Sequence, residues 1–411
     1  MPSVRISCSC CFISSDFPLF TLSPCAAIVF VKSMSFAFSM SSLRAAVRRK
    51  LLPWFARNAR DLPWRAEPRR PYAVWISEIM LQQTRVYTVI PYFRRFLARF
   101  PDPAALAAAP LQDVLKLWEG LGYYSRARQI HKTAQLLVRD HGGKLPRDPA
   151  ALAALPGFGP YTVAAVASFA FGHPLAVLDG NVIRVFSRLL ALPDDVGLPA
   201  TKKKLQRLAD DLLLRDKPAA TNEAWMELGA LVCTPRQPRC PECPLRGVCR
   251  AAKSQTPEAY PNKKKKMKVP HKVVGAAVIL NAKNQILIAQ RNPEKGMLAG
   301  LWEFPGGKIA EGETMPECIA RELKEEMGLD IEVGPPLVTV HHAYSHFTIE
   351  LHAHFARIRS GRPRHLECSG HAWTTRDKFD DFPFSKADLE IIRALRALPD
   401  PPRLREVFPG N

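Results

Sequence analysis

The chain has 411 residues, 47% hydrophobic and 23% charged, enough for more than one core and unlike a disordered or fibrous polypeptide. Lys and Arg outnumber Asp and Glu by 58 to 38, and the formal charge of +20 favours a polyanionic partner without fixing a fold. No apolar run has the length of a membrane span, and the clustering of the 10 cysteines suits an intracellular metal protein better than a secreted disulfide scaffold.

Residues 19–31 (LFTLSPCAAIVFV) have the apolar character of a signal-peptide core, yet an Arg and an Asp precede them and no small-residue cleavage site follows. Residues 1–40 therefore read as a poorly ordered extension or as translation begun upstream of the natural start, with Met34 and Met40 as candidate starts. From Leu43 to about Ala230 helical periodicity is broken by Pro, Gly and Asp-Pro pairs such as Asp102-Pro103 and Asp148-Pro149. An all-α domain over 41–253 is expected, closed by a cysteine group. Residues 254–271 are proline-bearing and basic, a linker whose lysines are suited to phosphate. Strands are expected over 273–280 and 285–290, joined by the turn Asn281-Ala282-Lys283-Asn284. A helix near 314–327, β-like runs over 337–341 and 347–355, and a helix over 386–397 follow. The fold class is thus multidomain, all-α followed by an α+β domain over 272–400 and a tail, 401–411.

Four motifs carry chemistry. Cys233, Cys240, Cys243 and Cys249 offer four soft thiolates on one loop, suited to tetrahedral zinc or to a four-iron cubane. Leu155-Pro156-Gly157-Phe158-Gly159-Pro160-Tyr161-Thr162 lies between helical runs, and its glycines allow a tight turn that exposes N–H groups to a phosphate. Asp179 opens the next helix, where an N-cap role and a catalytic one are compatible. Glu78 falls on a helix face between Val74 and Leu81, where desolvation would raise its pKa and keep a proton available near neutrality.

The segments Leu62-Pro63-Trp64-Arg65, 74–84 (VWISEIMLQQT) and 120–128 (GLGYYSRAR) resemble the MutY family of A/G-specific adenine DNA glycosylases, within the endonuclease III-like helix-hairpin-helix superfamily. The likeness covers about residues 43–275. It implies a [4Fe–4S] cluster on the four cysteines and phosphate binding by Gly157 and Gly159. It also implies that Glu78 protonates adenine at N7 while Asp179 stabilises an oxocarbenium-like sugar, after the adenine is flipped from the duplex. Trp64, Arg65, Tyr161 and Glu223 would line the adenine pocket, and Gln83 and Tyr123 would wedge into the base stack. Bifunctional members of the superfamily carry a Lys where this chain has Tyr161, and a phenol forms no Schiff base, so hydrolysis without strand cleavage is expected.

The second domain contains Gly307-x5-Glu313-x7-Arg321-Glu322-Leu323-x-Glu325-Glu326-x-Gly328-Leu329, a full Nudix signature. Thr314 and Glu317 have capping-box spacing, and Glu322, Glu325 and Glu326 gather oxygen ligands suited to Mg²⁺ on a diphosphate. Residues 298–329 resemble MutT-type 8-oxo-dGTP diphosphatases, whereas most MutY-like proteins carry a degraded box. His342-Ala343-Tyr344-Ser345-His346 resembles the loop with which MutY proteins detect 8-oxoguanine, Tyr replacing Phe. The leading expectation is a cytoplasmic, nucleoid-associated bacterial monomer that excises adenine opposite 8-oxoguanine or guanine in double-stranded DNA. The alternative is that the intact box gives 8-oxo-dGTP hydrolysis, additionally or instead. A non-catalytic lesion sensor is disfavoured by the intact Glu78 and Asp179 motifs.

Overall fold

The structure, a computed structural model, describes residues 40–264, 269–294, 296–344, 346–400 and 402–409. The expectations for 1–39, for 265–268 of the basic linker, for Ser345 and for the tail residues 401, 410 and 411 fall outside the described residues.

The helical part is built on α1 (Pro71–Leu81), α2 (Val86–Arg99), α3 (Leu111–Trp118), α4 (Ser125–Asp140), α5 (Pro160–Phe171), α6 (Gly180–Leu190), α7 (Pro199–Leu212) and α8 (Pro218–Leu231). The prolines that read as breaks are helix starts. Pro71, Pro160, Pro199 and Pro218 each begin a helix, where a missing N–H costs no helical hydrogen bond. The Asp-Pro pairs are caps followed by first-turn prolines: Asp102 accepts from Ala105 N at 2.8 Å and Asp148 from Ala151 N at 3.1 Å.

Two large apolar cores result, with a smaller cluster of Val74, Ala165, Phe169 and Val177 beside them. Trp75, Phe96, Phe100 and Trp118 anchor the first. The second joins Val47 and Leu51, near the start of the described chain, to Phe186 on α6 and Trp225 on α8. The described part of the chain therefore begins in one core, builds the other and returns, leaving a cleft whose walls come from both. On α8, a Cβ at Gly229 would stand 2.6 Å from Asn181 Cβ, so glycine is what lets the start of α6 lie against α8. The first part of the linker is docked rather than loose: Arg188 Nε donates to Tyr260 O at 3.0 Å and Val196 N to Asn262 O at 3.0 Å.

The second domain holds β1 (His271–Leu280), β2 (Ile286–Gln290), β3 (Trp302–Glu303), α9 (Met315–Met327), β4 (Asp330–Ala343), β5 (Thr348–Ser360), β6 (Gly370–Thr374) and α10 (Lys386–Ala397). The sheet order is β3-β2-β1-β5-β4, with β6 also paired to β2. β1 and β5 run parallel from His271↔Thr348 to Leu280↔Arg357, and the other pairs are antiparallel. α9 covers one face through Ile319, Leu323 and Met327, and α10 the other through Ile391, Ile392 and Leu395. Thr314 N donates to Glu317 Oε2 at 2.8 Å in the expected capping box.

β4 is far longer than the run 337–341 read from sequence. Pro335 and Pro336 argue against a strand, but the register shifts between Val333, Pro336 and Val338 place them at a bulge, where no ladder donor is needed. β3 and β6 were not expected; they are short and lack the alternation that marks a half-buried strand. The second domain docks on α3, α4 and the loop between them. Leu298 and Leu301 pack into the first helical core, and Gln112 Nε2 donates to Gly300 O at 3.0 Å.

Candidate active site

The cleft between the helical cores narrows to a cavity of about 180 Å³. α1 turns Glu78 into it beside Val74 and Leu81, as the helix periodicity predicts. Glu78 is 4% exposed, and its Oε2 accepts a hydrogen bond from Tyr161 Oη at 2.8 Å. Burial is the main force pushing its pKa up to about 7; Glu223 and Asp179 add to it, while the Tyr161 bond and Arg65 oppose it. Burial also pushes the Tyr161 phenol well up, so it remains a donor.

Asp179 faces the same cavity from the N-cap of α6. Its carboxylate accepts from Val182 N at 2.7 Å and from Asn181 Nδ2 at 2.8 Å. Burial raises its pKa, opposed by those two donors, and the helix N-terminus also favours the anion. Asn181 is itself held: its Oδ1 accepts from Arg184 Nη2 at 2.9 Å, and Arg184 Nε reaches Cys233 O at 2.8 Å.

Glu223 and Glu227 lie four apart on α8 and so share a face. Glu227 meets Arg60 at 2.7 Å and Arg65 at 3.1 Å; Glu223 meets Arg65 and Arg69, both at 3.0 Å. Burial works against the Glu227 anion, but Arg60 and Arg65 outweigh it and hold its pKa below the ordinary value. Trp64 closes the cavity, buried with its ring edge-on to Phe93 at 5.3 Å. All four residues expected around adenine, Trp64, Arg65, Tyr161 and Glu223, therefore share one cavity with Glu78 and Asp179. Arg60, Arg69, Asn181 and Glu227 were not singled out in sequence; the signal available was two acidic residues at i, i+4 on an otherwise apolar helix.

Gln83 and Tyr123 sit outside the cavity with φ of 60° and 51°, left-handed backbone unusual for side-chain-bearing residues. One buried guanidinium ties both loops: Arg126 donates to Ile79 O at 2.7 Å, Gln82 O at 2.5 Å and Gly122 O at 3.1 Å. Gly157 has φ 79° in the expected turn, and Gly159 precedes α5 as its N-cap.

Cys233, Cys240, Cys243 and Cys249 are free thiols around a cavity of about 30 Å³. Among the described residues no three metal-binding side chains meet closely enough to hold an ion. Buried Arg188 braces the loop, donating to Cys233 Sγ at 3.4 Å, Thr234 O at 2.6 Å and Pro235 O at 2.9 Å.

A second cavity, of about 410 Å³, lies in the second domain. Glu322 and Glu326 face it from α9, joined by Glu303, Asp388 and Arg291. A Cβ at Gly307 would stand 2.1 Å from the Glu322 carboxyl carbon, so the glycine of the box admits the carboxylate. Glu325 is not on this wall and pairs with Arg321 at 3.0 Å. Burial is the leading cause that pushes Glu326 up to about 8, Glu303 to about 7 and Asp388 to about 6. Tyr344 lines this cavity and also a cleft of about 260 Å³ facing the helical domain, whereas His346 is exposed.

Residues 76–213 match the family model of the HhH-GPD superfamily of base excision DNA repair proteins, and residues 275–394 that of the NUDIX domain. The adenine DNA glycosylase of Homo sapiens is 34% identical over 409 residues, covering 85% of this chain and 73% of that protein. The adenine DNA glycosylase of Buchnera aphidicola subsp. Schizaphis graminum is 35% identical over 302 residues, covering 73% of this chain and 84% of its own. Among solved structures, a thermostable thymine-DNA glycosylase aligns over 54% of this chain and 99% of its own length, at 29% identity and a TM-score of 0.47. No helix among the described residues is long and apolar enough to cross a membrane. With a buried acid and a second carboxylate facing one cavity, and with relatives of this identity and coverage, the chain belongs to the adenine DNA glycosylase family of base excision repair enzymes.

Proposed function

We propose that this enzyme hydrolyses the N-glycosidic bond of adenine mispaired with 8-oxoguanine or guanine, acting as a monomer on double-stranded DNA in the bacterial cytoplasm. The observation that carries the reading is Glu78, buried with a pKa near 7 in a cavity it shares with Asp179. A flipped adenine entering there meets Glu78 as proton donor to N7, which weakens the bond to the sugar. Asp179, fixed by Val182 N and Asn181, supplies negative charge to the oxocarbenium-like sugar that forms. Glu223 offers an acceptor to the exocyclic amine, and Trp64 a flat apolar wall. No lysine lines the cavity among the described residues, which supports base removal without Schiff-base chemistry. Gln83 and Tyr123 take the wedge role, with Gly157 and Gly159 on phosphate.

The four cysteines would hold a [4Fe–4S] cluster: thiols that ring a shared cavity rather than meet at a point suit several irons better than one tetrahedral zinc. Tyr344, with Ser345 and His346, reads the oxidised base opposite adenine. The test is single-turnover excision from duplexes holding A opposite 8-oxoG, G or T. Release is expected in that order, with no covalent adduct trapped by borohydride. Absence of adenine release, or efficient trapping, would sink the reading.

A second reading has its own observation. Glu322 and Glu326 turn into the Nudix cavity, which the full box frames. Together with Glu303 they would hold Mg²⁺ and hydrolyse 8-oxo-dGTP, with Glu325 in the outer charge network on Arg321. The full chain incubated with 8-oxo-dGTP and Mg²⁺ should release pyrophosphate, and no release overturns this second activity.

A further inference from the structure

Polar contacts between the two domains run along α3, the loop that carries Tyr123 and the start of α4. Apolar adhesion is supplied by Leu298 and Leu301 in the first helical core. Gln112 and Arg128 hold the backbone and side chains of 299–302 along one edge, and a second group of hydrogen bonds engages Phe382 and Phe384 from α3 and the loop that carries Tyr123. Glu119 accepts from Phe384 N at 2.7 Å, and Tyr124 Oη donates to Phe384 O at 3.0 Å. Lys116 Nζ bridges Glu119 at 3.0 Å and Phe382 O at 2.9 Å. Tyr92 Oη holds Glu119 O at 2.8 Å, and Gly120 N donates to Tyr124 Oη at 3.2 Å.

This latch also reaches the reading loop. Ser385, the residue after Phe384, lines one cavity with Tyr344 and caps α10 through Asp388 N at 3.3 Å. Tyr123, Tyr124 and Tyr344 line one cleft. The wedge candidate and the reader are thus joined through a single strap, 382–385, whose backbone is gripped by side chains of the wedge loop.

We propose that Glu119 and Tyr124 are specificity-determining positioning residues, which couple the wedge loop to the reading loop through the 382–385 strap. They make excision faster opposite 8-oxoguanine than opposite guanine. The inference rests on the lesion-reading role proposed above for Tyr344. Two side chains of one loop hold both backbone polar groups of Phe384, which fixes that loop's position relative to a second site. Such coupling is demonstrated only by non-additivity between the two sites.

The experiment measures single-turnover adenine excision opposite 8-oxoG and opposite G for the full chain. Wild type is compared with Tyr124→Phe, Glu119→Gln, Tyr344→Ala and the Tyr124→Phe/Tyr344→Ala double variant. Tyr124→Phe removes one hydroxyl and Glu119→Gln keeps the shape, so one reports if the other folds poorly. Each is expected to lower the 8-oxoG-to-G rate ratio about tenfold, within the usual range of a coupling free energy. For Tyr124→Phe and Glu119→Gln, excision opposite G should change by less than about twofold. The double variant should lose no more discrimination than Tyr344→Ala alone. Equal losses on both duplexes, or additive losses in the double variant, overturn the latch. A discriminating wild type with equally discriminating latch variants also overturns it. A wild type that does not discriminate overturns the lesion-reading role and the latch with it.

Discussion

On α8, Glu223 and Glu227 each meet two guanidinium groups, whereas Glu303, Glu326 and Asp388 crowd around Arg291 in the Nudix cavity. The first arrangement is complete in the protein alone. Arg69 also pairs with Glu67, so three cations meet three carboxylates, and Glu78 is left as the buried carboxyl with its pKa raised to about 7. The second holds more carboxyl groups than cations, so burial and mutual repulsion push protons onto it. A divalent cation entering such a site would restore its charges, as the proposed nucleotide hydrolysis requires. Similar residues thus make a pocket of paired carboxylates in one domain and a pocket of crowded ones in the other, the contrast on which the two proposed reactions rest.

The sharpest way to break this comparison is to neutralise one acid in each pocket. Glu78→Gln should lower single-turnover adenine excision by about 10³-fold or more, the upper range for loss of a general acid, while leaving any nucleotide hydrolysis intact. Glu322→Gln should do the reverse. If both variants impair one reaction, the two pockets are not independent. The proton inventory gives a companion test. Glu78 acts protonated and its pKa is about 7, so the excision rate should be level below pH 7 and fall toward tenfold per unit above it. A rate that rises through pH 8 excludes Glu78 as the acid.

A middle-sized effect tests the paired pocket. Glu227 is almost fully buried between Arg60 and Arg65. Replacing it with Gln strands the Arg60 guanidinium, while Arg65 keeps Glu223, and should cost about 3 kcal/mol of stability, the low end of the range for breaking a buried pair. The same variant should raise KM more than it lowers kcat, because Arg65 borders the base site rather than the proton donor. Unchanged thermal midpoint and KM would show the network to be ornamental.

What sequence made legible follows from distance along the chain. Glu78, Asp179 and the cysteines stand in compact motifs, and Glu78's desolvation is readable from its helical neighbours. The arginine network is not, because Arg60 and Glu227 are 167 residues apart and no local pattern pairs them. Arg188, buried against the cysteine loop, hid for the same reason. In the second domain the box fixed α9, yet it did not foretell that Glu325 would face Arg321 while Glu303 and Asp388, from β3 and α10, complete the cavity wall. The length of β4 was lost to Pro335 and Pro336, which are tolerated only because the strand bulges there.

The smallest effect is the most diagnostic for the crowded pocket, since its sign opposes that of Glu227→Gln. Glu326 has its pKa raised to about 8, by burial first and then by Glu303, Glu322 and Glu367. A raised folded-state value means that its favourable contribution is full below the ordinary carboxyl pKa and is lost as pH rises through about 8. Glu326→Gln removes that titration. Without divalent cations the variant's advantage over wild type should widen between pH 6 and pH 9 by on the order of 2 kcal/mol, the worth of about one to two pKa units of relieved repulsion. Thermal melts in EDTA at the two pH values read the difference, and Mg²⁺ should erase it by stabilising wild type alone. A Glu326→Gln protein less stable than wild type at pH 9 would mean that protein cations already satisfy this carboxylate, and the contrast between the two pockets would fall.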